Sequence, residues 1–233
     1  MIRFNPNTSP QLLELGDSGA HAVQLDDAAL NWRDIQQACA GLNFAPDTAS
    51  FYPGLRAAMP QPYALAVLEA VYSLLQQLLQ PPAHYRLRPR QLFFSLITTE
   101  PAALQRAQCL PHFDTPSPYH AAILHHLSPG PHGGTAFYRH QASGVCRLTP
   151  ANQASYFGAL NQQLAQQPLP SQYPTTQCPG FDLLATIAHR PNRLLIYPGS
   201  LLHSALIDPA TDLSADPLGG RLTANLFVEF TAN

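Results

Sequence analysis

Lysine is absent from the sequence: all twelve basic residues among its 233 are arginine. That excludes Schiff-base chemistry, pyridoxal phosphate attachment and a P-loop lysine, each of which needs an ε-amino group. Any anion gripped by a charged side chain here is gripped by Arg or His. Charge of either sign is scarce, at 11% of residues, against about 25% in an average soluble domain. The net charge of −2 argues against nucleic acid or an anionic membrane surface as a main partner. No run reaches the ~18 apolar residues of a membrane span. Met1–Pro6 has no apolar stretch after its charge, so no secretory signal is read there. The four cysteines, Cys39, Cys109, Cys146 and Cys178, form no CxxC pair and read as buried thiols of a reducing compartment. A soluble, cytoplasmic protein without nucleic-acid or membrane partners is the expectation. A GxSxG elbow is also missing, which weakens a hydrolytic reading of Ser200.

What is present is an ordinary apolar content of 45%, enough for one large domain. Residues 1–60 read as irregular, with a short helix starting at Asp26–Leu30 and a turn at Tyr52-Pro53-Gly54 beside Arg56. Pro62 to Leu79 predicts a helix, with Leu65, Leu68, Val71, Tyr72, Leu75 and Leu78 on one face and Pro81-Pro82 as its stop. Gln91–Thr98 reads as a strand after an Arg86–Arg90 basic edge. From about residue 110 the pattern becomes short extended runs broken by Gly and Pro: Tyr119–Leu127, Thr135–His140, Val145–Leu148, Arg193–Tyr197, Leu201–Ile207 and Arg221–Phe230. A helix over Ala151–Gln166 interrupts them, and Gln167–Pro179 reads as a long loop. This many short strands predicts a sandwich or barrel.

The chemistry starts at His112-Phe113-Asp114. Two residues apart in an extended segment, the imidazole and the carboxylate point to one face. His203, after the Pro198-Gly199 turn, completes a set of two His and one carboxylate, the arrangement that holds Fe(II) with open positions for a 2-oxo acid and dioxygen. In Arg221–Glu229 the residues alternate: Leu222, Ala224, Leu226 and Val228 on one face, Arg221, Thr223, Asn225 and Phe227 on the other. Arg221 and Thr223 on a cavity-facing side can clamp a carboxylate. Of the other histidines, His125 and His126 face opposite ways, while His120 and His132 flank turns and read as structural or exposed. Tyr119, Tyr138 and Tyr197 are candidates to add a hydroxyl to the carboxylate site.

Taken in order, His112-Phe113-Asp114, Gly133-Gly134-Thr135-Ala136-Phe137, His203 and Arg221-Leu222-Thr223 resemble the 2-oxoglutarate/Fe(II)-dependent oxygenase superfamily. The resemblance is nearest to its prolyl 4-hydroxylase-like branch, and the whole chain looks like a bacterial family of unassigned function. It covers about residues 110–230. It implies a mainly β fold with helices: a double-stranded β-helix (jelly roll) with helices packed on one face. It implies one domain over 1–233, with residues 1–90 packing on a core of residues 91–233. It implies His112, Asp114 and His203 as catalytic metal ligands, Arg221 and Thr223 as the 2-oxoglutarate site, and Fe(II) and 2-oxoglutarate as cofactor and cosubstrate. The activity implied is hydroxylation of a small-molecule or peptide substrate by dioxygen. Two departures stand out. The interval from His203 to Arg221 is long, reading as an inserted loop over Asp208–Leu218, and Arg stands where many prolyl hydroxylases have Lys. Two other readings share the barrel: a cupin-like metal enzyme without a 2-oxo acid, and a non-catalytic jelly-roll binding module.

Overall fold

Strict alternation along residues 221–228 puts Leu222, Ala224, Leu226 and Val228 into an apolar core, while Arg221, Thr223, Asn225 and Phe227 line a cavity. The rest of the fold is arranged around that division. The computed structural model describes residues 2–48, 50–167 and 169–232. Among these, the strands in chain order are β1 (Gln11–Glu14), β2 (His21–Leu25), β3 (Ala45–Pro46), β4 (Gly54–Ala58), β5 (Arg86–Ile97), β6 (His120–His126), β7 (Thr135–His140), β8 (Phe181–Ile187), β9 (Leu194–Pro198), β10 (His203–Ala205) and β11 (Thr223–Thr231). The helices are α1 (Trp32–Cys39), α2 (Gln61–Leu79), α3 (Gln153–Gln166) and the single turn α4 (Pro209–Asp212).

The strands form an eight-stranded sheet in the order β1-β2-β9-β6-β11-β5-β4-β3 and a three-stranded sheet, β10-β7-β8. Every strand pairing is antiparallel. The fold is thus mainly β with helices. Its register slips once in the β11–β5 ladder, between Phe227 and Val228 opposite Gln91 and Pro89. Proline has no N–H to donate, so the bulge at Arg90, next to Pro89, falls where the ladder loses least.

Helix α2 covers the outer face of the large sheet, through Ala64, Val67, Leu68, Val71, Leu75 and Leu79. This stripe is rotated from the expected one: Leu65 is 50% exposed. A 3–4 spacing fits two neighbouring stripes, and a buried polar contact selects between them. The Tyr63 hydroxyl lies 2.8 Å from His125 Nδ1. His125 Nε2 lies 3.1 Å from Asn192 Oδ1, which also accepts the Ala29 N–H. An amide oxygen only accepts, so Nε2 carries the proton and Nδ1 accepts from Tyr63. Gln80, in a left-handed conformation, and then Pro81-Pro82 end the helix.

Burial pushes His125 down to about 4 from its ordinary 6.5, against the Asn192 hydrogen bond. Between those values the unfolded chain binds more protons than the folded one. The ring's contribution to stability is therefore complete above pH 6.5 and is lost as pH falls toward 4. At pH 5 this ring alone is expected to cost ~2 kcal/mol, seen as a lower Tm at pH 5 than at pH 7.

The inner face of the large sheet meets the small sheet through Ala122, Leu195 and Tyr197 on one side and Phe137 and Ile187 on the other. Helix α3 packs Tyr156 and Leu160 onto Tyr138, Phe181 and Leu202. The four cysteines carry free thiols, three of them buried. No described helix is long and apolar enough to cross a membrane.

Several expected elements lie elsewhere. Residues 1–60 are not irregular: β1 and β2 extend one end of the large sheet, and β4 and β3 the other. No helix starts at Asp26–Leu30. Asp27 has φ of 54°, incompatible with a right-handed helix, and the Asp26 carboxylate instead pairs with Arg193 and Arg190. The chain enters α1 only at Trp32. Val145–Leu148 makes one isolated bridge, Arg147 to Leu201, and no strand. Of the long loop at 167–179, Pro168 lies outside the described residues.

Candidate active site

His112 and Asp114 are positioned by backbone pairing. The His112 N–H donates to the His203 carbonyl (2.9 Å), the His203 N–H returns to the His112 carbonyl (2.8 Å), and the Asp114 N–H reaches the Gly199 carbonyl (2.7 Å). That ladder sets the 112–114 segment directly beside the start of β10. The two imidazole rings stand 4.5 Å apart between centroids. Asp114 Oδ1 lies 3.9 Å from His203 Nε2. One ligand atom from each of His112, Asp114 and His203 falls within 4.8 Å of the others, a spacing that a single metal ion bridges. No other group of three His, Cys, Asp or Glu has that spacing among the described residues.

The protonation states suit ligation. His203 Nδ1 donates to the Leu201 carbonyl at 2.8 Å, which leaves the Nε2 lone pair facing the other two residues. Burial holds His203 down to about 4 against the help of that carbonyl. Burial, then the neighbouring His203, holds His112 down to about 4, with Asp114 opposing. Both rings are therefore neutral near pH 7. Burial raises Asp114 from the usual carboxylate range, against His112, His120 and Arg56. His112 and Asp114 are nevertheless reached by solvent, because they lie on the wall of an open cavity sunk into the protein.

Gly199 leaves the room this packing needs. A Cβ there would stand 2.2 Å from His120 Nδ1 and 2.8 Å from Asp114 Oδ2. Gly199→Ala is expected to lose ~1–3 kcal/mol by overpacking, measured as a lower urea midpoint.

The cavity has a volume of about 470 Å³, within the usual range for a small-molecule site. Besides the His/Asp group, its lining includes Tyr52, Arg56, His120, Tyr197, Arg221 and Thr223. Arg221 is 3% exposed and makes no ion pair among the described residues. Its Nε donates to the Gly133 carbonyl at 2.9 Å, while Nη2 is buried without a partner. Asn225 Nδ2 donates to Thr223 Oγ1 at 3.1 Å and to Ser95 Oγ at 2.7 Å. With its oxygen already accepting, the Thr223 hydroxyl has its proton left to donate. Thr135 Oγ1, also on the cavity wall, has no partner. A buried cation with a free donor is costly unless an anion reaches it. This part of the cavity offers unpaired donors that can bind a carboxylate or similar anion.

The five residues singled out from the sequence, His112, Asp114, His203, Arg221 and Thr223, all line this one cavity. Of Tyr119, Tyr138 and Tyr197, only Tyr197 lines it, with its ring edge-on to His203 at 4.8 Å. Tyr138 is engaged elsewhere, donating to the Thr175 carbonyl, and Tyr119 packs against Tyr85. Arg56 is both ion-paired, to Asp47, and on the cavity wall. Tyr52 and His120 also stand on the cavity wall. Tyr52 lies in the Phe51–Arg56 turn, which the sequence offers as a loop over the barrel mouth. His120, expected to be structural or exposed, is buried at 6% exposure with its side chain on the cavity wall. Counting back in twos from inward-facing His126 along β6 reaches it.

The family model described as "Family of unknown function (DUF6445)" matches residues 6–228. No curated protein matches the sequence. Among solved structures, the fold is similar to that of SnoN, the non-heme alpha-ketoglutarate-dependent epimerase of nogalamycin biosynthesis. That match has a TM-score of 0.51 and 13% identity, over 89% of this chain and 76% of that one. HygX from Streptomyces hygroscopicus, solved with nickel and 2-oxoglutarate bound, matches with a TM-score of 0.46 and 13% identity, over 85% and 77%. An N-substituted L-amino acid dioxygenase from Burkholderia ambifaria matches with a TM-score of 0.38 and 9% identity, over 96% and 94%.

Proposed function

We propose that this chain, which belongs to the Family of unknown function (DUF6445), is an Fe(II)- and 2-oxoglutarate-dependent oxygenase of the hydroxylase type. In this reading the two sheets are the halves of a double-stranded β-helix. The observation that carries it is the pairing, in one cavity, of a two-His, one-carboxylate group with a buried, unpaired guanidinium nitrogen of Arg221. Either feature alone is ambiguous. Together they match the two ends of a 2-oxo dicarboxylate.

His112 and His203 would ligate iron as neutral imidazoles and Asp114 as a carboxylate, a donor set with one negative charge that suits Fe(II). Arg221 holds the distal carboxylate of 2-oxoglutarate through its free Nη2, and Thr223 adds a hydroxyl donor. When bound, iron and 2-oxoglutarate supply the chemistry: dioxygen converts 2-oxoglutarate to succinate and CO2 and delivers its second oxygen atom to a substrate C–H bond. The protein's part is orientation and exclusion of water. Phe137 from the small sheet and Tyr197 from the large one, in edge contact at 5.2 Å, both pack against the His203 ring. Phe51, Phe113 and Phe227 line the cavity as well and present apolar surface to a small-molecule or peptide substrate.

The test is turnover of 2-oxoglutarate without added substrate. Aerobic protein with Fe(II) and ascorbate is expected to release succinate slowly, and to release none when iron is omitted. Folded, iron-loaded protein that neither binds 2-oxoglutarate nor forms succinate would remove this reading.

A further inference from the structure

The interval between His203 and Arg221 contains a device that the ligand set does not explain. The loop over Asp208–Leu218 folds back on the Gly133 turn through helix α4, whose last residue, Asp212, is completely buried. Its Oδ2 accepts the Gly133 N–H at 3.1 Å and the Asp208 N–H at 2.9 Å. Its Oδ1 is 2.9 Å from His132 Nδ1 and 3.3 Å from the Thr211 hydroxyl. The other side of the same residue, the Gly133 carbonyl, accepts from Arg221 Nε at 2.9 Å. A side chain at 133 cannot be accommodated: its Cβ would lie 1.3 Å from the Leu206 carbonyl oxygen and 3.0 Å from Asp212 Oδ2.

Asp212 does not approach Arg221 as an ion-pair partner among the described residues. Its carboxylate is instead saturated by backbone and histidine donors. The guanidinium is thus aimed by a neutral carbonyl, with no competing carboxylate in contact, and its Nη2 stays free for a ligand. A direct Asp–Arg pair would occupy the same donors that an incoming anion needs.

We propose that Asp212 and His132 are positioning residues for the anion site: they fix Gly133, and Gly133 in turn aims Arg221 into the cavity. The inserted loop is therefore a brace behind the cosubstrate pocket. This rests on the reading of Arg221 as the anchor for 2-oxoglutarate.

Calorimetry of the full chain loaded with Mn(II), a redox-quiet substitute for iron, separates the cases. Asp212→Ala is expected to raise the 2-oxoglutarate Kd about tenfold, the low end of what losing a partner behind a metal ligand costs, while the Mn(II) Kd stays within twofold. His132→Ala, which frees one edge of the carboxylate, is expected to raise it about threefold by the same logic. Asp216→Ala serves as the loop control. Its carboxylate accepts the Leu218 N–H within the loop without touching Gly133, so the 2-oxoglutarate Kd should not move. An unchanged Kd in the Asp212 or His132 variant that folds, or an equal loss in Asp216→Ala, overturns the brace. Wild-type protein that takes Mn(II) but no 2-oxoglutarate overturns instead the underlying reading of Arg221, and the brace with it.

Discussion

Replacing Arg221 with Leu is expected to raise the 2-oxoglutarate dissociation constant at least ~thirtyfold and leave metal affinity within twofold. Truncating one partner of a buried charge pair costs ~2–5 kcal/mol, and here the pair forms only when the anion arrives. Arg221 is 3% exposed, with Nη2 unpartnered, and burial already pulls its pKa below the usual arginine value. In the ligand-free protein this guanidinium is therefore a burden. Leu at 221 removes a buried, incompletely paired charge, so the Tm of the free protein should hold or rise. Added 2-oxoglutarate should then no longer raise it. An ordinary structural arginine behaves in the opposite way, losing stability on truncation with no change in ligand response. Thermal melts with and without 2-oxoglutarate, on wild type and Arg221→Leu, distinguish the two.

The second large effect is expected at the ligand group. His203→Ala should weaken Fe(II) or Mn(II) binding by more than a hundredfold, beyond the ~10–100-fold that outer-shell changes cost. It removes one of three donors and the backbone-oriented Nε2 that faces Asp114. 2-Oxoglutarate binding should fall with it, because the 2-oxo acid end of the ligand has no other anchor. The two variants are thus asymmetric. Loss of Arg221 spares the metal, while loss of His203 costs both ligands. Metal analysis after dialysis, followed by calorimetry with 2-oxoglutarate, reads this directly. Equal metal retention in wild type and His203→Ala would contradict the assignment.

The parts of the site visible in the sequence are those set by local periodicity. His112 and Asp114 share a face because they are two apart in extended chain, and Arg221, Thr223, Asn225 and Phe227 share one by the same rule. In the structure these six residues line one cavity with His203. The parts that escaped depend on contacts far apart in the chain. Asp212 looked like one acidic residue in a loop, since its partners include the backbone N–H of Gly133, 79 positions away. Strand β8 escaped because it lies at the edge of the small sheet, where Asp182, Leu183 and Thr186 are exposed in a pattern without clean alternation. Strands β1 and β2 are only four and five residues long, too short for a period-2 signal to stand out. The rotation of α2 was likewise set by a tertiary contact, that of Tyr63 with His125, which no helical wheel contains.

The His112, Asp114 and His203 group and Arg221 are proposed to hold the two ends of one 2-oxo acid. An anaerobic visible spectrum tests it most directly. Protein with Fe(II) and 2-oxoglutarate is expected to develop the weak metal-to-ligand charge-transfer band of the chelate. Fe(II) alone should give none, and the band should vanish in His112→Ala. No band in folded wild-type protein, or one that survives His112→Ala unchanged, would contradict the claim.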